Sequence, residues 1–421
     1  MPPRNFSWDQ DGRANLAGAP VSGLASAFGT PLYLYDEADL AERIATYVQA
    51  FGAENVAIAG KAFLTGRLLQ LAQEAGLGLD VVSEGELEFA LRLGFPAERI
   101  IMHGLYKPMS ALRTAARQGI AFVVVESPGE VAEVAGVARQ EKVKVPVLLR
   151  LAPAVDVHTH PSLATGAPAS QFGVPIADGQ ALETVRQLIA AEDAIEFKGY
   201  HMHVGSQIST LDPFVSGAAA VADFVRTVFS ETGHWPEVLD LGGGLGITSE
   251  SPAPSALREA YEVTLAGSLS SGPPMPRLMT EPGRFIVSPP GVTIYHIVQR
   301  KTAADGRTYL IVDGGMSDGP RPALYGAKPD VAVSPRRDGE EVVDVAGMHC
   351  ESGDIVRRDV TVTRAEVGDL LVVFDTGAYN HSMASHYNRV PVPPVVFVKD
   401  GVARPATRRD NLSDWLRLEV R

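Results

Sequence analysis

The chain has 421 residues, more than one hydrophobic core usually holds, so two domains are expected. Apolar residues make up 45% of the chain and charged residues 21%, which is ordinary for a soluble globular protein. The net charge is −13 and no basic run stands out, so neither nucleic acid nor an anionic membrane is expected as a partner.

The N-terminus and the cysteine content indicate the cellular compartment in which the protein is expected. Residues 1–9 lack the apolar core of a signal peptide, and no stretch of the sequence is long and apolar enough to span a bilayer. Cys350 is the only cysteine, so an internal disulfide cannot form. This fits a reducing compartment, and we expect a cytoplasmic protein.

From residue 55 to about residue 285, apolar runs typical of strands alternate with amphipathic stretches typical of helices. Eight such units have the size and rhythm of a (β/α)8 barrel. An open, doubly wound sheet is the alternative, because alternation alone does not decide whether a sheet closes. The expected strands are 55–60, 78–82, 98–103, 121–126, 145–151, 195–203, 237–241 and 277–281.

The pattern changes after Val287, where two prolines and a glycine at 289–291 interrupt the chain. Period-two alternation follows, separated by Gly, Pro and Asp turns, and predicts a mostly β second domain to which the early run 32–35 adds a strand. Its other expected strands are 293–300, 309–312, 341–346, 355–363, 370–374 and 395–398. The expected domains are a barrel over 37–286 and a β-rich domain formed by 1–36 and 287–421.

Polar residues gather at the carboxyl ends of the expected barrel strands. Lys61 follows the first strand; most lysines at strand ends simply reach water, but a buried one is often a nucleophile or is held by a fixed anion. In such barrels these strand ends form the active site, and the loops after strands seven and eight often hold phosphate. The order of residues therefore predicts a phosphorylated ligand over the barrel mouth. The other polar positions are Asp80, Arg150, His203, Gly242–Gly244 and Glu281–Arg284.

Two further motifs have more than one interpretation. The segment Gly242–Gly246 lacks the spacing of a dinucleotide-binding fingerprint, and either a tight strand-to-helix turn or a nest of backbone N–H groups that binds phosphate explains it. Three consecutive glycines favour the nest. The pairs His158/His160 and His201/His203 suggest a metal site, but carboxylates do not cluster with them at metal-binding spacings, so no metal is expected.

The chain contains seven motifs in a characteristic order: Lys61 in Ala-Gly-Lys-Ala, His201–Gln207, Gly242–Gly246, Glu281–Arg284, Arg321–Ala327, Cys350–Asp354 and Gly377–Tyr379. With these motifs the chain resembles the pyridoxal-phosphate decarboxylases of the alanine-racemase fold, and among them the diaminopimelate decarboxylases. The resemblance runs from about Leu32 to Arg389. It implies a PLP-binding (β/α)8 barrel with a C-terminal mostly-β domain, and decarboxylation of meso-2,6-diaminopimelate to L-lysine and carbon dioxide, the last step of lysine biosynthesis.

For the cofactor, pyridoxal 5′-phosphate (PLP), the resemblance implies that Lys61 forms a Schiff base and then exchanges it for the substrate amine. Glu281 would keep the pyridine nitrogen protonated, so that the ring accepts the electrons left when carbon dioxide departs. His203 would stack on the ring, and Asp80 would orient the lysine ammonium. The implied phosphate contacts are Ser206, Gly244, Gly283, Arg284 and Tyr379. Gly243, Pro282 and Arg150 complete the cofactor site, although an arginine like Arg150 is more often a structural ion pair.

For the substrate, the resemblance implies that Arg321 and Tyr325 clamp the distal carboxylate, a planar group that guanidinium binds with two parallel hydrogen bonds. Glu351 would take the distal ammonium. Cys350 would return a proton to the carbanion, with a buried spectator thiol as the alternative. The Cys350–Glu351 loop would come from the neighbouring subunit, so the β-rich domain would supply substrate and dimer contacts in a homodimer with shared sites. Arg284 and Tyr379 are also implied as substrate contacts.

The chain departs from this family at two loops. The family often reads Gly-Asn-Asn-Lys where residues 104–107 read Gly-Leu-Tyr-Lys, and Ser-Lys-Phe-Gly where Gln171 gives Ser-Gln-Phe-Gly. Both departures affect the prediction of the substrate more than the prediction of the reaction. A decarboxylase of ornithine, lysine or arginine is therefore an alternative, although such a substrate would leave a buried Arg321 unpaired. A metal-dependent barrel hydrolase and a non-catalytic cofactor-binding relative are the remaining alternatives.

Overall fold

The computed structural model describes residues 1–155, 171–270 and 272–420. They form two compact units. One unit is Ile44–Phe285, and the other combines Met1–Arg43 with Ile286–Arg421.

The helices and strands are numbered here in chain order over the described residues. The strands are β1 (Phe6–Trp8), β2 (Ala14–Leu16), β3 (Ala19–Pro20), β4 (Leu32–Asp36), β5 (Ala57–Ala59), β6 (Gly78–Val81), β7 (Ile100–Met102), β8 (Phe122–Val125), β9 (Val145–Ala152), β10 (Val174–Pro175), β11 (Ile195–Met202), β12 (Val238–Asp240), β13 (Arg277–Met279), β14 (Gly291–Thr302), β15 (Thr308–Val312), β16 (Val331–Ser334), β17 (Glu340–Ala346), β18 (Ile355–Thr363), β19 (Leu370–Val373), β20 (Val395–Lys399) and β21 (Val402–Thr407). The α-helices are α1 (Val21–Phe28), α2 (Glu37–Phe51), α3 (Gly66–Glu74), α4 (Glu84–Arg92), α5 (Met109–Gln118), α6 (Pro128–Glu141), α7 (Gln180–Ala190), α8 (Asp212–Thr232), α9 (Pro254–Leu269), α10 (Arg284–Val287), α11 (Arg321–Tyr325) and α12 (Leu412–Leu416).

The unit Ile44–Phe285 is built around eight parallel strands. They are hydrogen-bonded in the order β13–β12–β11–β9–β8–β7–β6–β5, with the short β10 beside β9. The two ends of this sheet meet, because Val56 and Thr280 form a parallel bridge and Ala57 N donates to Thr280 O at 3.0 Å. The predicted (β/α)8 barrel is therefore confirmed, and the sheet is not the open one of the alternative.

Apolar side chains fill the interior of the barrel. Ala57, Ile101, Val124, Leu148 and Val238 belong to one buried cluster, although their strands lie on different sides of the barrel. Alternate residues of a barrel strand point inward, and this is how distant strands share one core. The polar residues predicted for the site lie toward the carboxyl ends of the strands.

Short polar side chains begin the helices that follow the first two barrel strands. Thr65 Oγ1 accepts from Leu68 N at the start of α3, and Ser83 Oγ accepts from Glu86 N at the start of α4. Each such cap satisfies a donor that the helix itself cannot, and contributes about 1 kcal/mol. The loops between strand and helix are therefore short and well defined, which is what a site at the strand ends requires.

The second unit is mostly β. Its larger sheet runs β18–β17–β15–β14–β4–β20–β21, with β19 paired to β14 and β16 to β19, while β1–β3 form a small separate sheet. The long strand β14 organises the larger sheet, because it pairs with β4, β15 and β19 along its length. The early run predicted to join this sheet is β4, which lies inside it rather than at its edge.

The predicted strands of both units are present, with small shifts at their ends. The strands that were not predicted are short, or contain a proline as β21 does at Pro405: β1, β2, β3, β10, β16 and β21. Over the part of the chain that the structure describes, no helix combines the length and apolar character needed to cross a bilayer.

Candidate active site

Lys61 lies at the carboxyl end of the first barrel strand, in a 3₁₀ turn, Gly60–Ala62, directly after β5. Its Nζ donates to Asp80 Oδ2 at 3.2 Å, from the next strand. The lysine side chain is 40% exposed whereas that of Asp80 is 0% exposed. The amine is thus reachable by a ligand, while its negative partner is fixed in the wall of the barrel.

Glu281 follows the last barrel strand and lies between two histidines. His103 Nε2 is 2.6 Å from Glu281 Oε1, and His201 Nε2 is 3.1 Å from Glu281 Oε2. All three side chains are buried. Burial alone would raise the pKa of Glu281, but the two histidines lower it further than burial raises it, so its pKa lies well below the usual value. Glu281 is therefore an anion in the wall of the barrel.

A second carboxyl beside Glu281 behaves in the opposite way. Asp240, at the end of β12, is fully buried, and its Oδ1 accepts from Gly242 N at 2.9 Å. Burial and then the charge of Glu281 raise the pKa of Asp240 well above its usual value. The pKa values of these neighbouring carboxyls are thus pushed apart, so Glu281 gives up its proton more readily than Asp240 does.

Two positions of the loop after β12, Gly243 and Gly244, admit only glycine. Gly244 has φ of 116°, and a Cβ there would lie 2.1 Å from Gly205 O. A Cβ on Gly243 would lie 2.2 Å from Glu281 O. Backbone therefore packs directly on backbone, and the loop leaves its surface free of side chains, as a phosphate-binding nest requires.

His203 packs against this loop, since a Cβ on Gly242 would lie 3.0 Å from His203 Nδ1. Gly243 N donates to His203 Nδ1 at 3.2 Å, so Nδ1 is an acceptor. Burial, followed by the charges of Lys61 and Arg150, lowers the pKa of His203 well below its usual value. The imidazole is therefore a neutral aromatic ring.

The loop after β13 packs against the turn that carries Lys61. Ala59 N donates to Pro282 O at 3.1 Å, and a Cβ on Gly283 would lie 3.0 Å from the Cβ atoms of Ala59 and Ala62. Arg284 begins α10, and its Nε donates to Ser206 Oγ at 3.4 Å. A hydroxyl and a guanidinium are thus paired at the same end of the barrel, and both can bind an anion.

Arg150, on β9, is part of an ion pair. Its Nη1 donates to Glu126 Oε1 at 2.8 Å, and its guanidinium lies 4.8 Å from the ring centroid of Phe172. Burial would raise the pKa of Glu126, but Arg150 and then Lys107 lower it below the usual value. This is the structural ion pair that the sequence left open for Arg150.

His103 and Glu126 are functional candidates that were not singled out from the sequence. The signal was available, because the expected strands 98–103 and 121–126 end on these two residues. The rule that drew attention to Lys61, a polar residue at the carboxyl end of a barrel strand, applies to both.

The Cys350–Glu351 loop belongs to the second unit and is held by Asp354. Asp354 Oδ2 accepts from His349 N at 2.8 Å and Oδ1 from Met316 N at 2.7 Å. Cys350 itself is exposed in the single chain. Glu351 Oε1 accepts a hydrogen bond of 2.7 Å from the hydroxyl of Tyr387.

The remaining predicted residues of the second unit lie in two other segments. Arg321 and Tyr325 are the first and last residues of α11, on one turn of helix. Tyr379 follows Gly377 and has φ of 59°, a left-handed conformation that is uncommon for a tyrosine. The barrel unit brings together Lys61, Asp80, Arg150, His203, Ser206, Gly243, Gly244, Glu281, Pro282, Gly283 and Arg284, and the second unit carries Arg321, Tyr325, Cys350, Glu351 and Tyr379.

Of the two histidine pairs considered for a metal, only His201 and His203 lie within the described residues. His158 and His160 lie outside the described residues. Of the other pair, His201 alone joins a cluster with His103 and Glu281, whose potential donor atoms lie within 4.8 Å of one another. In that cluster the histidines are hydrogen-bonded to the carboxylate.

Comparison with known proteins agrees with this geometry. A family model described as "Pyridoxal-dependent decarboxylase, pyridoxal binding domain" matches residues 37–288. A diaminopimelate decarboxylase of Mycobacterium bovis is 41% identical over 438 residues, covering 100% of this chain and 97% of the relative. One of Halalkalibacterium halodurans is 40% identical over 420 residues, covering 97% and 95%. The crystal structure of a diaminopimelate decarboxylase from M. jannaschii in complex with L-lysine superposes with a TM-score of 0.93 at 30% identity, covering 100% of this chain and 99% of that one.

Proposed function

Because the chain belongs to the diaminopimelate decarboxylases, within the pyridoxal-dependent decarboxylase family, we propose that it converts meso-2,6-diaminopimelate to L-lysine and carbon dioxide. The reaction is a PLP-dependent carboxy-lyase reaction and the last step of lysine biosynthesis. The observation that carries it is the pairing of the Lys61 amine with buried Asp80 at the barrel mouth, beside an ionised Glu281.

The side chains and backbone of the barrel mouth fit PLP. The accessible Lys61 amine suits its aldehyde, and the buried Glu281 carboxylate suits a protonated ring nitrogen. The loop at Gly243 and Gly244, where any Cβ would collide with backbone, suits its phosphate. When bound, PLP supplies a ring that accepts the electrons left on the substrate when carbon dioxide departs.

The residues of the barrel have separate roles in this proposal. Lys61 attaches the cofactor through Nζ, and Asp80 holds that amine toward the mouth of the barrel. Glu281 would accept a hydrogen bond from the ring nitrogen of the bound cofactor and keep its proton in place. His203, a neutral ring, stacks on the cofactor face without adding a charge that would oppose the protonated nitrogen.

Phosphate binding falls to the groups around the glycine loop. Ser206 and Arg284 are hydrogen-bonded to each other and offer a hydroxyl and a positive charge. Gly244 and Gly283 offer close backbone approach, and Tyr379 of the second unit completes the proposed set. In this proposal Arg150 lies beside the cofactor and keeps its ion pair with Glu126.

Residues of the second unit recognise the far end of the substrate. Arg321 and Tyr325, one helical turn apart, bind the distal carboxylate, and Arg284 and Tyr379 also contact the substrate. Glu351 binds the distal ammonium, and Tyr387 orients it through its hydrogen bond. Cys350 returns a proton to the carbon that has lost carbon dioxide.

We propose a homodimer in which the barrel of one subunit (37–286) meets the Cys350–Glu351 loop of the other subunit's β-rich domain (1–36 and 287–421). Exposure of Cys350 in the single chain supports this, because an acid that protonates a carbanion works best where water is excluded. We also propose a cytoplasmic location, since a reducing compartment keeps this thiol unoxidised.

The test is turnover by the purified protein with added PLP and meso-diaminopimelate. Carbon dioxide and lysine should appear in equal amounts, and Lys61→Ala should abolish both. Borohydride should fix the cofactor to Lys61, which peptide mass spectrometry would locate. If the wild-type protein releases neither product, the proposed function is wrong.

The same assay separates the remaining alternatives. L-Ornithine, L-lysine and L-arginine lack the distal carboxylate, and we expect none of them to be a good substrate, because they offer Arg321 no carboxylate to bind. Faster turnover of any of these than of diaminopimelate would favour the alternative decarboxylase. Family membership favours PLP chemistry over the metal-dependent hydrolase.

A further inference from the structure

We propose that His103 and His201 are positioning residues that clamp the two oxygens of Glu281, so that this carboxylate faces the ring nitrogen of the cofactor in one fixed orientation. The inference rests on the proposed function, because it assigns the ring nitrogen to Glu281. It adds two residues that act through Glu281 and that the motifs described above do not explain.

The geometry is that of a two-sided clamp. One histidine reaches each oxygen, His103 at 2.6 Å and His201 at 3.1 Å, and their rings pack edge to face with centroids 4.7 Å apart. The side chains of His103, His201 and Glu281 are 4%, 2% and 4% exposed. Rotation of the carboxylate would break both contacts in a place where water cannot replace them, so its plane is fixed.

The clamp leaves Glu281 able to bind the cofactor. An ionised carboxylate has about four lone-pair sites, and the two histidines occupy one on each oxygen. One lone pair on either oxygen can therefore still accept a proton-bearing ring nitrogen. Without the histidines, a carboxylate this deeply buried would pick up a proton and become a donor, which is the wrong partner for a protonated nitrogen.

The clamp requires a defined tautomer of each histidine. Because the carboxylate only accepts, each ring must carry its proton on Nε2. Burial lowers the pKa of His201 to about 4, so this ring is neutral, and its buried Nδ1 has no hydrogen-bond partner among the described residues. An unprotonated nitrogen tolerates that position at a lower cost than an N–H would.

The clamp also touches the pair that holds the reactive amine. His103 Nε2 lies 3.8 Å from Asp80 Oδ1, and Asp80 Oδ2 binds Lys61. The group that attaches the cofactor and the group that faces its ring nitrogen are thus positioned by one contiguous set of buried side chains. His103 is the member common to both.

The test uses the full-length protein loaded with PLP that carries ¹⁵N in its ring. The ¹⁵N chemical shift reports whether the ring nitrogen is protonated, a readout that a merely structural role would not move. We expect a protonated nitrogen in the wild-type protein and loss of that proton in His103→Leu and His201→Leu. Turnover should fall about ten- to hundred-fold, as it does when groups that orient a metal ligand are removed, with little change in KM.

Conservative variants of the two histidines should restore the protonated ring nitrogen and part of the turnover. His103→Gln and His201→Gln keep an N–H donor near the position of Nε2, so the ring nitrogen should stay protonated and turnover should recover in part. His234→Leu is the matched control: this histidine stacks on Phe197, between α8 and β12, and should leave the ¹⁵N shift unchanged. Leucine variants whose ring nitrogen stays protonated would overturn the clamp.

If the leucine variants do not fold, measurements on the wild-type protein still test the proposed clamp. Selective ¹⁵N labelling of histidine should show Nε2–H tautomers for His103 and His201, and an Nδ1–H tautomer on either ring would overturn the proposal. Stoichiometric zinc held by these histidines in the wild-type protein would also overturn it. A wild-type protein that binds PLP but releases no carbon dioxide would refute the proposed function instead, while leaving the ¹⁵N measurement decisive for the clamp.

Discussion

Cys350 can be tested alone, because it is the only thiol in the chain and it is exposed. We expect Cys350→Ala to lower turnover by roughly 10²–10⁴, the range for loss of a positioned acid, and to leave PLP affinity unchanged. Initial rates and a PLP titration followed by absorbance measure the two effects. Cys350→Ser, which keeps a weaker acid, is the matched variant and should retain more activity. Equal rates for the alanine variant and the wild-type protein would remove Cys350 from the mechanism.

Asp318 is a residue whose charge should make stability depend on pH. It is 1% exposed, and burial is the leading cause that raises its pKa from 3.8 to about 6, although Tyr295 and Ser317 donate to it. Between those two values the folded chain holds a proton that the unfolded chain has released. Stability should therefore fall as pH rises through this range, by about 3 kcal/mol for a shift of about two units.

Asp318→Asn removes this titration and provides the measurement. The free energy of unfolding of the wild-type protein minus that of the variant should decrease from about pH 4 to about pH 6 and then level off. Denaturant unfolding across that range gives both values. A difference that does not change with pH would mean that Asp318 does not keep a proton in the folded chain.

At the scale of elements, the loop after β12 should tolerate no side chain. Gly244→Ala adds a Cβ that would lie 2.1 Å from Gly205 O and forces an alanine to a φ of 116°. We expect a loss of about 1–3 kcal/mol of stability and weaker PLP binding, because the loop must move to accommodate the methyl group. Thermal unfolding and a PLP titration measure the two losses.

Gly136 supplies the matched control for that substitution. It lies inside α6, and a Cβ there would meet nothing within 4 Å. Gly136→Ala should therefore stabilise the protein by about 0.5–1 kcal/mol and leave PLP binding unchanged. If Gly244→Ala behaved like Gly136→Ala, the loop would not be the tight nest described above.

The elements also show where sequence patterns carry information about a site. Strand β5 is short and apolar and ends at a lysine, so both the strand and Lys61 were predictable from one pattern. His103 follows β7 in the same way, but its role depends on Glu281, a residue 178 positions later. Periodicity locates strand ends along the chain, but it does not state which ends face each other at hydrogen-bonding distance. Contacts of this kind are visible only in the folded, closed barrel.

At the scale of the whole molecule, the alternation of strands and helices predicted the barrel because each unit is a local pattern. The short sheet β1–β3 was missed because strands of two or three residues carry too little periodicity to stand out from loops. The pKa values of Glu281 and Asp240 could not be predicted either, since that of Glu281 depends on burial and on His103 and His201, and that of Asp240 on burial and on Glu281. The pKa values could therefore not be predicted because they depend on tertiary contacts.

The shared-site dimer is the prediction that concerns the molecule as a whole. If Lys61 and Cys350 of one site come from different subunits, a hybrid of Lys61→Ala and Cys350→Ala subunits has one site with both lesions and one intact site. Mixing equal amounts should then restore roughly a quarter of the wild-type activity, since half of randomly reassorted dimers are hybrids with one working site. Native mass spectrometry measures the hybrid fraction in the sample used for the rate.

The double variant mixed with wild-type protein is the control, because its hybrids have one lesion in each site and should lose activity. Hybrids that form but add nothing to the activity of the two parents would place both residues in one subunit's site.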